Sequence, residues 1–399
     1  MLGGRAETIE LIRKSVRAIV DKYGSKYWFE KDEKREYPIE FVEDLAAQGI
    51  FGVNIPEKYE GAGYGLREAA AVLEEIAASP GGPAASNAVH AALFNNHVLV
   101  KYGRPEVKEK YLPDIAKGKL KFQVYAVTEP QAGFNTLRIS TFARKEGDYY
   151  IISGTKAFIS RVKYSSLGIL AARTTSLEKA PRKTLGITLF LVDLSKAMGK
   201  HIRIEEIPNN LRRFVDTNMM YIEELPVPED HVLGEVDKGF YILMEESNVE
   251  RTLLAAQCVA SGRWVIRKAV EYAKQRIVFP PDPIAKYQGI QFPLADAWIR
   301  LEAGELLKER AIDAIERGED RRIIGYYANI AKYLACEACY QAARMAMWTM
   351  GGYGYSAEMD IERHWRAAEL SAGVGQISPH MILNYVAIQI LGMPRSYGE

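Results

Sequence analysis

Tyr125-Ala-Val-Thr-Glu-Pro130 opens a stretch, running to Ser160, whose pattern breaks with its surroundings. The residues before it read as helices. The residues after it alternate as a strand does: Ile139, Thr141 and Ala143, then Tyr149 and Ile151, on to Gly154-Thr-Lys-Ala-Phe-Ile-Ser160. A period of two between long helical stretches marks a separate β module. Thr128-Glu-Pro-Gln-Ala-Gly133 is a polar loop punctuated by Pro and Gly, the kind that holds a ligand over a rigid sheet. By local pattern alone it reads as well as an ordinary strand–turn junction.

Outward from that stretch, strands are predicted over 123–128, 138–145, 149–153, 165–173, 185–193, 201–206 and 217–222. Asp148 and Gly186 take turn positions, and the module closes at Pro226-Val-Pro228. Short strands this closely spaced suggest a small barrel or sandwich. Upstream, helices are predicted over 7–23, 38–48, 66–78, 84–102 and 105–118. The glycine-rich segment Ile55 to Gly65 fits neither the dinucleotide nor the P-loop spacing and reads as a plain loop. Downstream, Leu254, Cys258, Gly262, Val265, Ala269 and Ala273 form a stripe at steps of three and four. Further helices over 291–317, 321–350 and 378–391 imply a four-helix bundle. The expected order is a helical domain (1–118), a β-barrel (119–234) and a helical bundle (235–399), an α+β multidomain fold.

The chain has 399 residues, 48% of them hydrophobic, enough for two or three domains with sizeable cores. A net charge of +1 gives no global attraction to nucleic acid or to an anionic membrane. No apolar run approaches the roughly 20 residues of a membrane span. The N-terminus moves straight into an amphipathic pattern with no signal-peptide form, and three cysteines make a disulfide framework improbable. A cytoplasmic protein is expected. Cys336 and Cys339 lie in a small-residue helix and read as packing groups, and the six histidines show no metal spacing.

Two clusters carry candidate chemistry. Extending the 254/258/262 stripe back four residues reaches Glu250. A carboxylate at the edge of a buried stripe is desolvated, the condition under which it serves as a general base near neutrality. Ser247-Asn-Val-Glu250 equally fits a capping box that satisfies a helix N-terminus. Met350-Gly-Gly-Tyr-Gly-Tyr355 clusters glycines after a long helix, which lets backbone N–H groups approach a phosphate, or merely caps the helix.

Taken together, several segments resemble the acyl-CoA dehydrogenase family. They are Tyr125-Ala-Val-Thr-Glu-Pro-Gln-Ala-Gly133, Gly154-Thr-Lys-Ala-Phe-Ile-Ser160, Pro226-Val-Pro-Glu-Asp-His-Val-Leu-Gly234, Lys238-Gly-Phe240, Gly351-Gly-Tyr-Gly-Tyr355 and Glu362-Arg-His-Trp-Arg366. The match covers nearly the whole chain. The resemblance implies FAD as cofactor, a homotetramer, an acyl-CoA substrate and an electron-transfer flavoprotein as electron acceptor, in the chemistry of fatty-acid β-oxidation. It would place Tyr125, Val127 and Thr128 along the flavin, Phe158 and Ser160 at the isoalloxazine, and the N–H groups of Gly133 and Phe134 at the pyrophosphate. Arg276, Phe279 and Gln288 would hold the cofactor of a neighbouring subunit, where a guanidinium suits phosphate oxygens, and Gly351 and Gly352 would also bind cofactor.

Many family members keep a Glu after the Arg-Asp-Ala segment near the C-terminus. Here that segment runs Arg366-Ala-Ala-Glu-Leu-Ser-Ala-Gly-Val-Gly375, so glycine takes the place of the base. Glu250-Arg251 resembles the alternative base location of isovaleryl-CoA and long-chain acyl-CoA dehydrogenases. The resemblance thus implies Glu250 as base, Arg251 near the substrate, and the Gly375 N–H on the thioester oxygen. The sequence departs from the family's pattern at Phe134, at Phe279-Pro-Pro-Asp-Pro283, at Trp348 where a cofactor-binding Gln is usual, and at Gln376-Ile-Ser-Pro379. Two rivals remain at this stage: a flavin-dependent oxidase or monooxygenase on the same fold, and a non-catalytic acyl-CoA-binding relative.

Overall fold

The computed structural model describes residues 2–395. The alternating region folds into one eight-stranded sheet: β1 (Phe122–Ala126), β2 (Phe142–Glu146), β3 (Tyr149–Ser160), β4 (Leu167–Arg173), β5 (Ile187–Asp193), β6 (Ile202–Glu206), β7 (Thr217–Pro228) and β8 (Val232–Leu233). The strand order is β6-β7-β3-β2-β4-β5-β8, with β1 paired to β4. The β1–β4 ladder is parallel, and the long β3–β7 and β4–β5 ladders are antiparallel. All eight strands send side chains into one apolar cluster, among them Val124, Ala143, Tyr150, Leu170, Phe190, Ile202, Met220 and Val232. A sheet whose every strand feeds one interior is the packing of the small barrel expected from the sequence.

Two strands are longer than their local pattern predicts. β3 continues past 153 to Ser160, and β7 past 222 to Pro228. The prolines read as the module's end therefore lie inside β7. They fit because β6 pairs only with residues 218–222, so beyond them one edge of β7 carries no ladder. Proline is tolerated where no donor is needed.

The helices before the sheet are α1 (Leu2–Val20), α2 (Ser25–Lys34), α3 (Ile39–Ala47), α4 (Leu66–Ala77), α5 (Gly82–Asn87), α6 (His90–Tyr102) and α7 (Pro105–Ala116). The helix expected over 84–102 is two helices, broken at Ala88-Val89. The segment of α2, Ser25-Lys-Tyr-Trp-Phe-Glu-Lys-Asp-Glu-Lys34, is mostly charged, which hid it from a search for apolar periodicity. Val98, Leu99, Leu112 and Ile115 from α6 and α7 pack on Ile169, Leu189 and Leu191 of the sheet. The buried Asn95 amide of α6 donates to the Phe122 and Val124 carbonyls, both at 3.1 Å, and so pins β1. A single turn, α8 (Leu194–Ala197), is capped by the Asp193 side chain.

After the sheet come α9 (Gly239–Gln275), α10 (Gln288–Glu316), α11 (Arg321–Met350), α12 (Ile361–Gly373) and α13 (Pro379–Tyr385), the last continuing as a π turn over Val386–Ile390. The predicted stripe is the buried face of α9: Leu254 and Cys258 meet Cys336, Cys339 and Ala368, while Val265 and Ala269 meet Leu294, Leu301 and Ala342. The fourth helix packed in this core is α12, not the 378–391 segment, which holds only a short helix. Alanines at 331, 335, 338, 342 and 346 let α11 approach closely. At Gly304 of α10 an added Cβ would stand 3.0 Å from the Ala335 Cα.

By packing, the described chain forms two compact units that interleave along the sequence. One comprises Met1–Ile19, Lys31–Ala69 and Asn87–Ser247; the other comprises Val20–Glu30, Ala70–Ser86 and Asn248–Glu399. The first is called the sheet unit below and the second the helical unit. Among the described residues no helix is long and apolar enough to cross a membrane.

Candidate active site

In the sheet unit the Thr128–Gly133 loop is held from below by one buried ion pair. Lys156 lies on β3, fully buried, and its Nζ donates to Glu129 Oε1 at 2.9 Å and to the Val127 carbonyl at 3.0 Å. Glu129 also accepts from the Ser140 N–H at 2.6 Å and the Thr141 N–H at 2.9 Å. Burial alone would raise the Glu129 carboxyl; the Lys156 charge and these donors overcome it and hold the group down at about 2. The Ala157 N–H adds a bond to the Thr128 carbonyl at 2.9 Å. Tyr125, Val127 and Thr128 thus stand half-buried on a fixed backbone.

Further along β3 the ladder to β7 is irregular between Lys156 and Ile159. Phe158 sits in that bulge with φ +60° and its side chain 65% exposed. A bulky residue in the left-handed region is a strained arrangement. Its effect is to present an aromatic ring outward between the buried residues Ala157 and Ile159. Two residues on, the Ser160 hydroxyl accepts from Arg212 Nη2, and Arg212 Nη1 reaches Asn87 Oδ1 at 3.4 Å. Gly133 and Phe134 end the loop in the open: no atom lies within 4 Å of a Cβ built on Gly133, and Phe134 is 50% exposed.

In the helical unit, Arg276 meets Gly351 and Gly352 in one cleft of about 570 Å³, with Tyr272, Val278 and Tyr353 also lining it. Gly351 has φ +58°, and neither glycine has an atom within 4 Å of a built Cβ. The Gly351 N–H is taken by the Trp348 carbonyl at the end of α11; a guanidinium beside open glycine backbone still suits a phosphate. Phe279 and Gln288 are exposed and lie outside that lining, as does Trp348, whose ring carries the Arg344 guanidinium at 4.5 Å.

Glu250 stands well inside the continuous helix α9, so the capping-box alternative falls: the helix begins at Gly239, and no N-terminus exists at 247–250 to be capped. Its carboxylate is half-buried. The next residue, Arg251, is 8% exposed; its Nε donates to Gln376 Oε1 at 2.7 Å and its Nη1 to Asn248 Oδ1 at 3.2 Å. Burial pushes this guanidinium down to about 10, against the opposing pull of the Glu250 carboxylate and Tyr385. The Arg251–Gln376 bond brings the Glu250 turn of α9 to the Gly375 turn after α12, positions 125 apart in sequence.

The expected role of the Gly375 N–H is not what the geometry gives. That N–H donates to the Leu370 carbonyl at 2.7 Å, because the end of α12 leaves carbonyls that need donors. A Cβ at 375 would stand 3.1 Å from the Leu370 oxygen and 3.2 Å from the Ser371 Cα, so the glycine itself sits against the end of α12. Sequence reasoning passed over Arg212 and Lys332, and met Gln376 only as a departure from the family's pattern. Lys332 carried a usable signal, a lone cation within the small-residue run Asn329-Ile-Ala-Lys-Tyr-Leu-Ala-Cys336. The contacts of Gln376 and Arg212 join distant segments and leave no local signature.

The family models describe this chain along most of its length. They are the acyl-CoA dehydrogenase N-terminal domain over 6–119, the middle domain over 124–224 and the C-terminal domain over 237–375. The acyl-CoA dehydrogenase FadE12 of Mycobacterium tuberculosis H37Rv is 34% identical over 393 residues, 98% of each chain. A 3-(aryl)acrylate reductase of Clostridium sporogenes is 36% identical over 368 residues, 92% of this chain and 94% of its own. The solved butyryl-CoA dehydrogenase of Megasphaera elsdenii superposes with a TM-score of 0.87 at 26% identity, covering 96% of this chain and 98% of that one. The chain belongs to the acyl-CoA dehydrogenase family and is an FAD-dependent oxidoreductase.

Proposed function

We propose that this protein removes hydrogen from the α and β carbons of an acyl-CoA thioester, giving the trans-2-enoyl-CoA, with Glu250 as the base that takes the α-proton. The observation that carries the reading is the Arg251–Gln376 hydrogen bond. It joins the helix turn bearing Glu250 to the turn where other members of the family keep their base, and here that turn carries Gly375. One carboxylate therefore serves the position from which two family branches draw theirs.

The residues present fit FAD. The strained, outward ring of Phe158 and the fixed row Tyr125–Thr128 offer a flat surface on the sheet unit. The Arg276–Gly351–Gly352 cleft of the helical unit offers donors for phosphate oxygens. When bound, the flavin supplies the two-electron acceptor for the β-hydride. The chain's own part is to orient the substrate, take the α-proton at the Glu250 carboxylate, and stabilise charge on the thioester oxygen, where one good donor contributes ~3 kcal/mol. Arg251, beside Glu250, holds the base turn through its bond to Gln376. Of the departures from the family's pattern, Phe134 and Trp348 are exposed, while Gln376 bonds the buried Arg251.

The likeness to a 3-(aryl)acrylate reductase favours a second reading in which the same groups work in reverse, Glu250 delivering a proton to an enoyl thioester. An electron-transfer flavoprotein is the proposed acceptor or donor of electrons, and a homotetramer in the cytoplasm the proposed form. Anaerobic titration with acyl-CoAs of varied chain length, branching and aromatic character tests the proposal. Loss of the oxidised flavin spectrum with a saturated acyl-CoA is expected. Bleaching by none of them, with reoxidation of the reduced enzyme only by enoyl- or arylacrylyl-thioesters, would favour the reverse reading.

A further inference from the structure

Among the described residues, Arg251 and Lys332 lie inside the helical unit without a direct ion pair. Arg251 is bonded only to the neutral amides of Gln376 and Asn248. Lys332, on α11, is fully buried; its Nζ donates to the Ala372 carbonyl at 3.3 Å and to the Ile377 carbonyl at 2.9 Å. A buried ammonium bonded only to carbonyls costs stability that an apolar side chain of similar shape would not. The natural place for such a group is a site that needs what it holds.

What Lys332 holds is a loop by its two ends. Ala372 lies in the last turn of α12, whose carbonyls form the negative end of the helix and favour a cation. Ile377 lies just past the Gly375–Gln376 turn. Within this bracket the Ile377 N–H donates to the Gly375 carbonyl at 2.7 Å, and Gln376 has φ +61°. That is a γ-turn centred on Gln376, in the rarer and strained of its two forms. Strain of this kind persists only where surrounding contacts fix it. Here the contacts are Lys332 at the backbone ends and Arg251 on the Gln376 side chain.

The turn also decides which peptide N–H is free. The Gly375 N–H is taken by Leu370 and the Ile377 N–H by Gly375. The Gln376 N–H lies between them with no acceptor among the described residues. Its own peptide carbonyl, that of Gly375, accepts the Ile377 N–H, and this polarises the peptide and makes the N–H a stronger donor.

We propose that Lys332 and Arg251 are the positioning pair of this active site: they hold the γ-turn so that the Gln376 peptide N–H, not that of Gly375, donates to the thioester oxygen. The proposal rests on the dehydrogenation reading given above. Charge on that oxygen grows as Glu250 takes the α-proton, so a fixed donor there lowers the barrier without reorganising. Lys332, fully buried and bonded to the Ala372 and Ile377 carbonyls, acts through the turn.

The test uses the flavin-loaded enzyme and a 3-thia-acyl-CoA, which can lose its α-proton but not a β-hydride. The long-wavelength absorbance of its enolate beside the flavin is followed against pH. In Lys332→Met the midpoint should rise by at least one pH unit and kcat for an ordinary substrate should fall at least tenfold, with KM within threefold. Amide exchange over 370–378 should quicken at least tenfold, and Lys332→Arg should recover part of each change. An unchanged midpoint and unchanged exchange in Lys332→Met would overturn the role of Lys332. If that variant does not fold, Gln376→Gly keeps the N–H, releases the strain and cuts the Arg251 contact from a half-buried position; it too should raise the midpoint, and no rise would overturn the clamp. The donor is assigned by semisynthesis of the C-terminal segment with a backbone ester replacing one N–H. Loss of the Gln376 N–H should shift the midpoint and loss of the Gly375 N–H should not; the reverse would overturn the assignment. A wild-type enzyme that forms no enolate at any pH would instead remove the dehydrogenation reading itself.

Discussion

Phe158 keeps a large aromatic ring where the backbone favours glycine. In the left-handed region a side chain costs about 1–2 kcal/mol. Phe158→Gly should therefore raise the unfolding free energy of the cofactor-free protein by about 1 kcal/mol while weakening FAD retention, as read by denaturant melts and by flavin release on dilution. Equal or lower stability would mean that the ring is held for packing alone. At Glu129 the sign of the pH effect follows from its depressed carboxyl. A group held at about 2 against an ordinary 4.5 stabilises the fold above pH 4.5, and that contribution is lost as pH falls towards 2. Glu129→Gln should flatten this acid limb of stability. Because it leaves the buried Lys156 without its counter-charge, it should also cost about 3–5 kcal/mol at neutral pH. An acid limb identical to that of the wild type would locate acid sensitivity elsewhere.

Among the elements, α10 and α11 show how small residues set a helix contact. Gly304 faces Ala335 so closely that a Cβ would reach backbone, which cannot yield as a flexible side-chain tip can. Gly304→Val should destabilise the helical unit by about 1–3 kcal/mol, seen as a lower thermal midpoint with the flavin spectrum intact. The stripe on α9 was legible because burial enforces a helical period over many turns. Strand β7 was legible because its burial alternates, and β4 and β5, buried on both faces, because they are short apolar runs. The ends of β3 and β7 were not, because partners distant in sequence fix them: Ser160 pairs with Thr217, and Tyr149 with Pro228. For the same reason the capping-box alternative at Ser247–Glu250 looked sound locally and failed in the fold. Whether a helix starts there depends on what precedes it, and α9 had already run two turns from Gly239.

For the molecule as a whole, the order of helices, sheet and helices was readable, while the division into packing units was not. Residues 20–30 and 70–86 pack with the C-terminal helices, a pairing that no local pattern announces. The proposed base was readable only through comparison of two sequence positions, 250 and 375; of the groups around it, Lys332 showed as a lone cation among small residues, whereas the neutral amides of Asn248 and Gln376 carry no spacing signal. On the surface of α10, Phe292, Ile299 and Leu306 recur every seven residues and are 60%, 66% and 72% exposed. For the proposed homotetramer, an apolar row of that exposure is the surface offered for association. Ile299→Glu with Leu306→Glu should reduce the assembled form to smaller species in sedimentation velocity; an unchanged sedimentation coefficient would place the interface elsewhere. The central claim, that Glu250 takes the α-proton, is tested most directly by anaerobic mixing of flavin-loaded Glu250→Gln with an acyl-CoA that bleaches the wild type. The variant should keep its flavin and bleach roughly 10²–10⁴-fold more slowly; bleaching at the wild-type rate would contradict the account.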